Sequence, residues 1–346
     1  MADNELLALE EEEVSYGIEG LKILIYGSNN LGKTPQAFKF PKPLLLMGEA
    51  GGSALKGYKK AMTSKRVFLN AVKDLTDEKT LTKMKEKYQT IILDCVEDII
   101  DLFEIAICRE YGVKDVGEIQ QLEKGNPNGY SVYRREFKQN INLLTSCGYT
   151  VIFIAHEETI EIPTGKKDSK GNDITRSFIQ PKGSKGEKSS SRFIKDLCDF
   201  RFYIKSSGVD PETNKTIMSK AWCVQTDEFY AGSKFDIVPV INPFTADNLI
   251  KEMTEAQKRT AEEQNSGLKV FERNTDNYTR EDYLRDIHPY MTKLFPLYKD
   301  LVIQYVEEQL GEGKKASDAT DEQLVELETI YNNLSSLALD RGIVVD

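Results

Sequence analysis

No apolar run among the 346 residues approaches the roughly 18 needed for a membrane-crossing helix, so a membrane span is not expected. The five cysteines (Cys95, Cys108, Cys147, Cys198 and Cys223) stand apart in apolar surroundings with no CxxC pair. That spacing argues against a zinc framework or disulfide scaffold and reads as reduced core thiols. The acidic N-terminus has neither the basic nor the apolar region of a secretion signal, and no internal repeat is found. A cytoplasmic protein is expected. Positive charge is also short overall, with a net −10, but the deficit is uneven. Residues 1–13 hold six acids and no base, and residues 265–346 hold sixteen acids against nine bases. The stretch 14–264 is therefore net +3, and within it residues 163–195 carry nine bases against three acids.

What is present is concentrated in one run, Gly27-Ser28-Asn29-Asn30-Leu31-Gly32-Lys33-Thr34, which fits GxxxxGK[ST] and follows the apolar stretch Leu21–Tyr26. Glycines let the backbone curl so that its N–H groups face inward as an anion nest. The helix that follows is expected to add its positive dipole end. Lys33 supplies a cation for the β- and γ-phosphates, and Thr34 a hydroxyl for Mg²⁺. A nucleoside-triphosphate site, taking ATP with Mg²⁺, is expected here.

Short apolar runs alternate with helical periodicity, the pattern of a parallel sheet with crossover helices. The expected strands are Leu21–Tyr26, Leu44–Met47, Thr90–Leu93, Thr150–Ala155 and Phe200–Ile204, with later strands within Ile217–Thr226 and Phe235–Val240. Helices are expected from Val96, over Tyr130–Ser146 and over 246–264. Two more follow a polar stretch at 265–277: one interrupted at Pro296, one starting at Thr320 with Gln323 closing a capping box.

The second half of a nucleotide site is a carboxylate at the end of a neighbouring strand, and Asp94 closes the run Thr90-Ile91-Ile92-Leu93. Cys95 follows it where many such enzymes place a glutamate, so the acid that prepares the attacking water must come from elsewhere. Two acids are in range. Glu97 reads as a residue interacting with a helix N-terminus, whereas Glu49 follows a strand and precedes Ala50-Gly51-Gly52, so Glu49 is preferred. His156, after Val151–Ala155, is placed to sense the γ-phosphate.

These motifs in order, with Phe40-Pro41-Lys42-Pro43 and Tyr230-Ala231-Gly232-Ser233-Lys234-Phe235, resemble the phage RecA-like P-loop ATPases of the single-strand-annealing (Sak-type) group over residues 20–250. The resemblance implies an α/β fold: a RecA-like core with a mainly parallel central sheet flanked by helices. It implies Glu49 as catalytic acid, His156 as sensor, and Lys234 as a finger reaching a neighbouring subunit's nucleotide. It also implies a homo-oligomeric ring or filament that binds single-stranded DNA in phage recombination, annealing, replication or repair, in the host cytoplasm. Pro35 after Thr34, Gly48 before Glu49 and the acidic C-terminal region depart from the pattern.

The expected divisions are an acidic disordered tail (1–14), the ATPase domain (15–250), a polar helix and linker (251–277) and a helical acidic extension (278–346) that competes with DNA or binds a partner. In RecA-like proteins a mobile DNA-binding loop follows the sensor strand; here that place holds Lys166, Lys167, Lys170, Arg176, Lys182, Lys185 and Lys188, with Phe178 as the one mid-loop aromatic. Lysines there would neutralise phosphates without reading sequence. The alternatives are a nucleotide-kinase-type phosphotransferase and a non-hydrolysing ATP-dependent switch or scaffold.

Overall fold

The computed structural model describes residues 11–48, 55–122, 128–182, 191–273, 279–320 and 323–345. The chain divides into two compact units, Met1–Arg273 and Asn274–Asp346.

In chain order the first unit holds β1 (Val14–Tyr16), β2 (Lys22–Tyr26), α1 (Lys33–Ala37), β3 (Pro43–Met47), β4 (Tyr58–Ala61), α2 (Lys65–Thr76), α3 (Leu81–Lys87) and β5 (Thr90–Asp94). Then come α4 (Val96–Tyr111), α5 (Ile119–Leu122), α6 (Gly129–Ser146), β6 (Thr150–Ala155), β7 (Glu157–Lys167), β8 (Asp173–Pro181), α7 (Ser191–Leu197) and β9 (Phe200–Lys205). The unit closes with β10 (Lys220–Trp222), β11 (Gly232–Ser233), β12 (Val240–Ile241), α8 (Ala246–Gln264) and β13 (Leu268–Val270).

Among the described residues the main sheet has nine strands in the order β12-β10-β9-β2-β6-β5-β3-β4, with β11 also on β9. From β9 to β4 every pairing is parallel; β10, β11 and β12 add antiparallel edges. This is a RecA-like α/β fold. β6 lies between β2 and β5, so the strand ending beside His156 separates the strand leading into Gly27 from the strand ending at Asp94. All three reach the same carboxyl edge, where ligands of such sheets bind.

Both faces of β2, β3, β5 and β6 are buried, which is why they read as unbroken apolar runs, whereas the edge strand β4 is mostly exposed and does not. Leu24, Tyr26, Leu93 and Phe153 face one core with Phe68 of α2, Phe103 of α4 and Phe137 of α6. Ile23, Ile25, Ile92 and Ile154 face the other with Leu249, Met253 and Ala256 of α8. The expected boundary at residue 250 therefore cuts a helix that belongs to the sheet. Gln257 of the same helix is fully buried and bonds both the N–H and the carbonyl of Gly17 (3.0 and 2.9 Å). A fully buried Leu249 alone is worth about 1.5–3 kcal/mol.

The larger correction concerns the segment after β6. In place of the expected mobile loop, β7 and β8 form an antiparallel hairpin, with Ile160 opposite Phe178 and Ile162 opposite Arg176. Its turn is set by Asp168, whose Oδ1 accepts from the N–H groups of Lys170 (2.8 Å) and Asn172 (2.9 Å).

The second unit is a helical pair, α9 (Arg280–Leu310) and α10 (Leu324–Asp340), with its own core of Ile287, Leu294, Val302, Leu327, Ile330 and Leu334. α9 carries Pro296 and turns non-helical at Tyr298 (φ −136, ψ 42), two residues beyond the expected break. The N–H of Thr320 donates to Gln323 Oε1 at 3.0 Å. The acidic tail falls largely outside the described residues, which begin at Glu11; Val14–Tyr16 pairs in parallel with Leu268–Val270.

Candidate functional site

The loop after β2 is shaped by backbone that favours glycine or asparagine. Gly27 has φ +150, Asn30 +62 and Gly32 +81. A Cβ on Gly27 would lie 2.5 Å from the Ile204 carbonyl oxygen, so the loop passes β9 too closely for a side chain. Lys33 is only 7 % exposed, and its ammonium donates to the carbonyls of Gly27 and Ser28, each at 2.7 Å. Its charge is thus held inside the curl of the loop. Burial pushes the Lys33 pKa down, opposed by the electrostatic influence of Cys95, Asp94, Glu97 and Glu157 around it. The expected dipole is smaller than the sequence suggests: α1 has five residues, so the loop amides and Lys33 carry most of the positive field. Pro35 fits within this short first turn, where its missing N–H is no loss.

Thr34 donates its hydroxyl to Asp94 Oδ2 at 2.7 Å, joining the first helical turn to the end of β5. One hydroxyl and one carboxylate in contact form a hard oxygen donor set of the kind Mg²⁺ takes. Gly48, at the end of β3, lets α4 approach: a Cβ there would lie 2.7 Å from Asp98 Cβ and 2.9 Å from the Cys95 carbonyl. That contact is the physical reason for glycine at this position.

Glu97 was passed over in the sequence and proves central to the site. It is 1 % exposed in the first turn of α4, and its Oε1 lies 2.6 Å from His156 Nδ1 and accepts from the His156 N–H at 3.2 Å. Its other oxygen, Oε2, is buried with no hydrogen-bond partner among the described residues. Fifty-nine residues separate Glu97 from His156; only the pairing of β5 with β6 brings them together. Beside them Cys95 Sγ lies 3.3 Å from Asp94 Oδ1 and 3.9 Å from His156 Nε2. Glu49, the preferred catalytic acid, lies outside the described residues, as do Lys185 and Lys188.

The next residue ties the loop to the hairpin. Glu157 accepts from the Ser28 hydroxyl, and Lys182 N–H donates to the His156 carbonyl at 2.8 Å. Tyr26 and Tyr203, both near Glu157, are held protonated chiefly by burial and further by its charge.

The remaining expected residues are elsewhere. Lys234 follows β11 at the amino edge of β9, paired with Asp199 at 2.8 Å, on the far side of the sheet from Gly27. Any contact it makes with a nucleotide would be on another subunit. Lys166, Lys167 and Lys170 are exposed near the hairpin turn, and Lys167 lies 3.9 Å from Asp173. Arg176 is engaged with the carbonyl (2.6 Å) and carboxylate (2.8 Å) of Asp227 on the surface of the hairpin. Phe178 is 7 % exposed and cannot serve as a stacking platform.

A phosphate loop, a buried lysine and a Thr–Asp pair at the carboxyl edge of a parallel sheet define a P-loop ATPase. The AAA domain family model matches residues 19–235, and the chain belongs to that family. The chain is 33 % identical over 337 residues to the SPbeta prophage-derived uncharacterized protein YorG of Bacillus subtilis (strain 168), covering 94 % of this chain and 95 % of that one. It is also compared with the crystal structure of a KaiC-like protein from the hyperthermophilic archaeon Pyrococcus horikoshii OT3. That pair shares 12 % identity and a TM-score of 0.33, over 66 % of this chain and 97 % of that one. At that score the fold assignment rests on the strand order and the family match. Among the described residues no helix is long and apolar enough to cross a membrane.

Proposed function

We propose that the chain hydrolyses ATP with Mg²⁺ and couples turnover to single-stranded DNA in phage recombination, annealing, replication or repair. The observation that carries the hydrolytic part is the Thr34–Asp94 contact at 2.7 Å beside the buried Lys33 ammonium. Thr34 and Asp94 would hold Mg²⁺, which when bound neutralises phosphate charge. The loop amides from Gly27 to Thr34 grip the phosphates. Lys33 exchanges its two carbonyl partners for phosphate oxygens, and its charge opposes the negative charge that develops during transfer. Water attacks the γ-phosphorus as the bond to the ADP oxygen breaks. Glu49 is proposed as the acid that prepares this water. Glu97 positions His156, whose Nε2 contacts the γ-phosphate.

The DNA part is supported by the connection from His156 and Glu157 into the hairpin and by the exposed Lys166, Lys167 and Lys170, followed by Lys182. Five acids and five bases between residues 157 and 182 make the described hairpin neutral overall, so contact would fall to the lysines near its turn. Assembly into a ring or filament is part of the reading, with Lys234 exchanging Asp199 for a neighbour's nucleotide. The acidic helical pair is proposed as a surface for a partner. Phosphate release measured with and without single-stranded DNA tests the function. DNA-stimulated release supports it, transfer to a nucleotide acceptor supports the phosphotransferase alternative, and binding without turnover supports a switch.

A further inference from the structure

We propose, resting on the single-stranded DNA reading above, that the strand is also held at the amino edge of the main sheet, on Lys42, Lys56, Tyr58, Lys60, Lys87 and Tyr88. Charge points there first. Residues 55–90 carry ten bases against four acids, whereas residues 157–182, which form the hairpin, carry five of each. A strong positive excess therefore lies along β4, α2 and α3. Part of it is engaged locally: Lys65 pairs with Glu136 at 2.7 Å, and Lys85 donates to the Gly148 carbonyl at 2.6 Å. Lys42, Lys56, Lys60 and Lys87 all stand exposed.

Topology gathers these lysines around two rings. Lys42 precedes β3, Tyr58 opens β4 opposite Leu44, and Tyr88 lies two residues before β5, so all three sit at the amino ends of parallel strands. The Gln89 N–H donates to the Lys42 carbonyl at 3.0 Å and ties the two approaches together. Tyr58 and Lys60 share one face of β4, about 6.6 Å apart along the strand. The Tyr58 and Tyr88 rings meet edge to face at 5.3 Å, and the Lys87 ammonium lies 4.5 Å from the first centroid and 5.2 Å from the second. Tyr58 is 53 % exposed. Lysines alone have a simpler use, since charge on an edge strand discourages pairing between chains. A half-exposed tyrosine among them has no part in that role. Together they suit a single strand: the lysines neutralise phosphates without reading sequence, and a base stacks on the open ring. As it does so, the Lys87 ammonium leaves the ring for a phosphate oxygen. A duplex keeps its bases stacked on one another and offers none to Tyr58. The phosphate loop lies at the opposite edge, beyond the length of β3, about 16 Å, so this surface is distinct from the nucleotide site.

The test uses the full chain without nucleotide and a fluorescent oligothymidine as the probe, read by anisotropy across a salt series. Tyr58→Ala should weaken binding by about 5–100-fold with little change in salt slope, and Tyr58→Phe should restore it. Replacing Lys56, Lys60 and Lys87 by alanine should lower the slope of log affinity against log salt by about 2. Ultraviolet cross-linking of the oligonucleotide to the unaltered protein, read by mass spectrometry, should place adducts on Tyr58 or Tyr88, whether or not the variants fold. Equal affinity of Tyr58→Ala and the unaltered chain, or adducts confined to other regions, would overturn the proposal and leave the DNA-binding reading standing. No binding by the unaltered chain would overturn both. Adducts on Tyr58 with phosphate release that DNA does not stimulate would uphold this surface and remove the coupling of turnover to DNA.

Discussion

The phosphate loop and the β7–β8 hairpin touch through Ser28 and Glu157, yet they are built by opposite rules. In the loop, function is written into the backbone: Gly27 has no room for a Cβ, and Lys33 is buried against two carbonyls of its own turn. In the hairpin the backbone forms an ordinary ladder, and any function rests on exposed side chains, two of them already paired with acids. Substitutions in the loop should therefore abolish a property. Substitutions in the hairpin should grade one.

The largest effect is expected from Lys33→Ala. Loss of the buried cation should lower ATP turnover by at least about 10²–10³-fold, measured as steady-state phosphate release, while DNA binding without nucleotide is unchanged. Equal loss of both would break the distinction between the two regions. Glu97→Gln keeps the size of the side chain but weakens the hold on His156. It should lower kcat by about 10²-fold with KM for ATP near that of the unaltered protein; a change confined to KM would mean that Glu97 serves binding alone.

The hairpin should respond more gently. Replacing Lys166, Lys167 and Lys170 by alanine should leave unstimulated turnover intact. It should reduce the slope of log DNA affinity against log salt by about 2, from roughly 0.7 per phosphate contact on single strands. Fluorescence anisotropy across a salt series reads this, and an unchanged slope would remove the hairpin from the DNA interface.

The smallest effect is on pH dependence. Burial lowers the Lys33 pKa below its ordinary 10.5 in the nucleotide-free fold, so between the folded and unfolded values the unfolded chain binds more protons. Through that alkaline window stability should rise with pH, while ATP affinity falls because the phosphates favour the ammonium form. Melting curves and ATP titrations over the window check both signs, and Lys33→Ala should flatten both.

How far the sequence could be read follows the same division. Gly27–Thr34, Asp94 and strands β2, β3, β5, β6 and β9 were legible because local chemistry dictates them: apolar runs buried in the sheet, glycines where φ is positive, a carboxylate at a strand end. The Glu97–His156 pair was not legible, since its partners are 59 residues apart and meet only through sheet order. Reading α8 as a polar appendage failed because its apolar residues are diluted by charge, although Leu249, Met253 and Ala256 keep helical spacing toward the sheet. The hairpin did carry a signal in the alternation Glu158-Thr159-Ile160-Glu161-Ile162 before the turn residues Asp168–Asn172. Its glycine and lysine content concealed that period.

A structure with a non-hydrolysable ATP analogue and Mg²⁺ tests the central claim most directly. The account predicts β- and γ-phosphates inside the Gly27–Thr34 loop, with the Lys33 ammonium moved from the Gly27 and Ser28 carbonyls onto phosphate oxygens. A loop left without phosphates at saturating ligand, or Lys33 still bound to both carbonyls with nucleotide present, would contradict it.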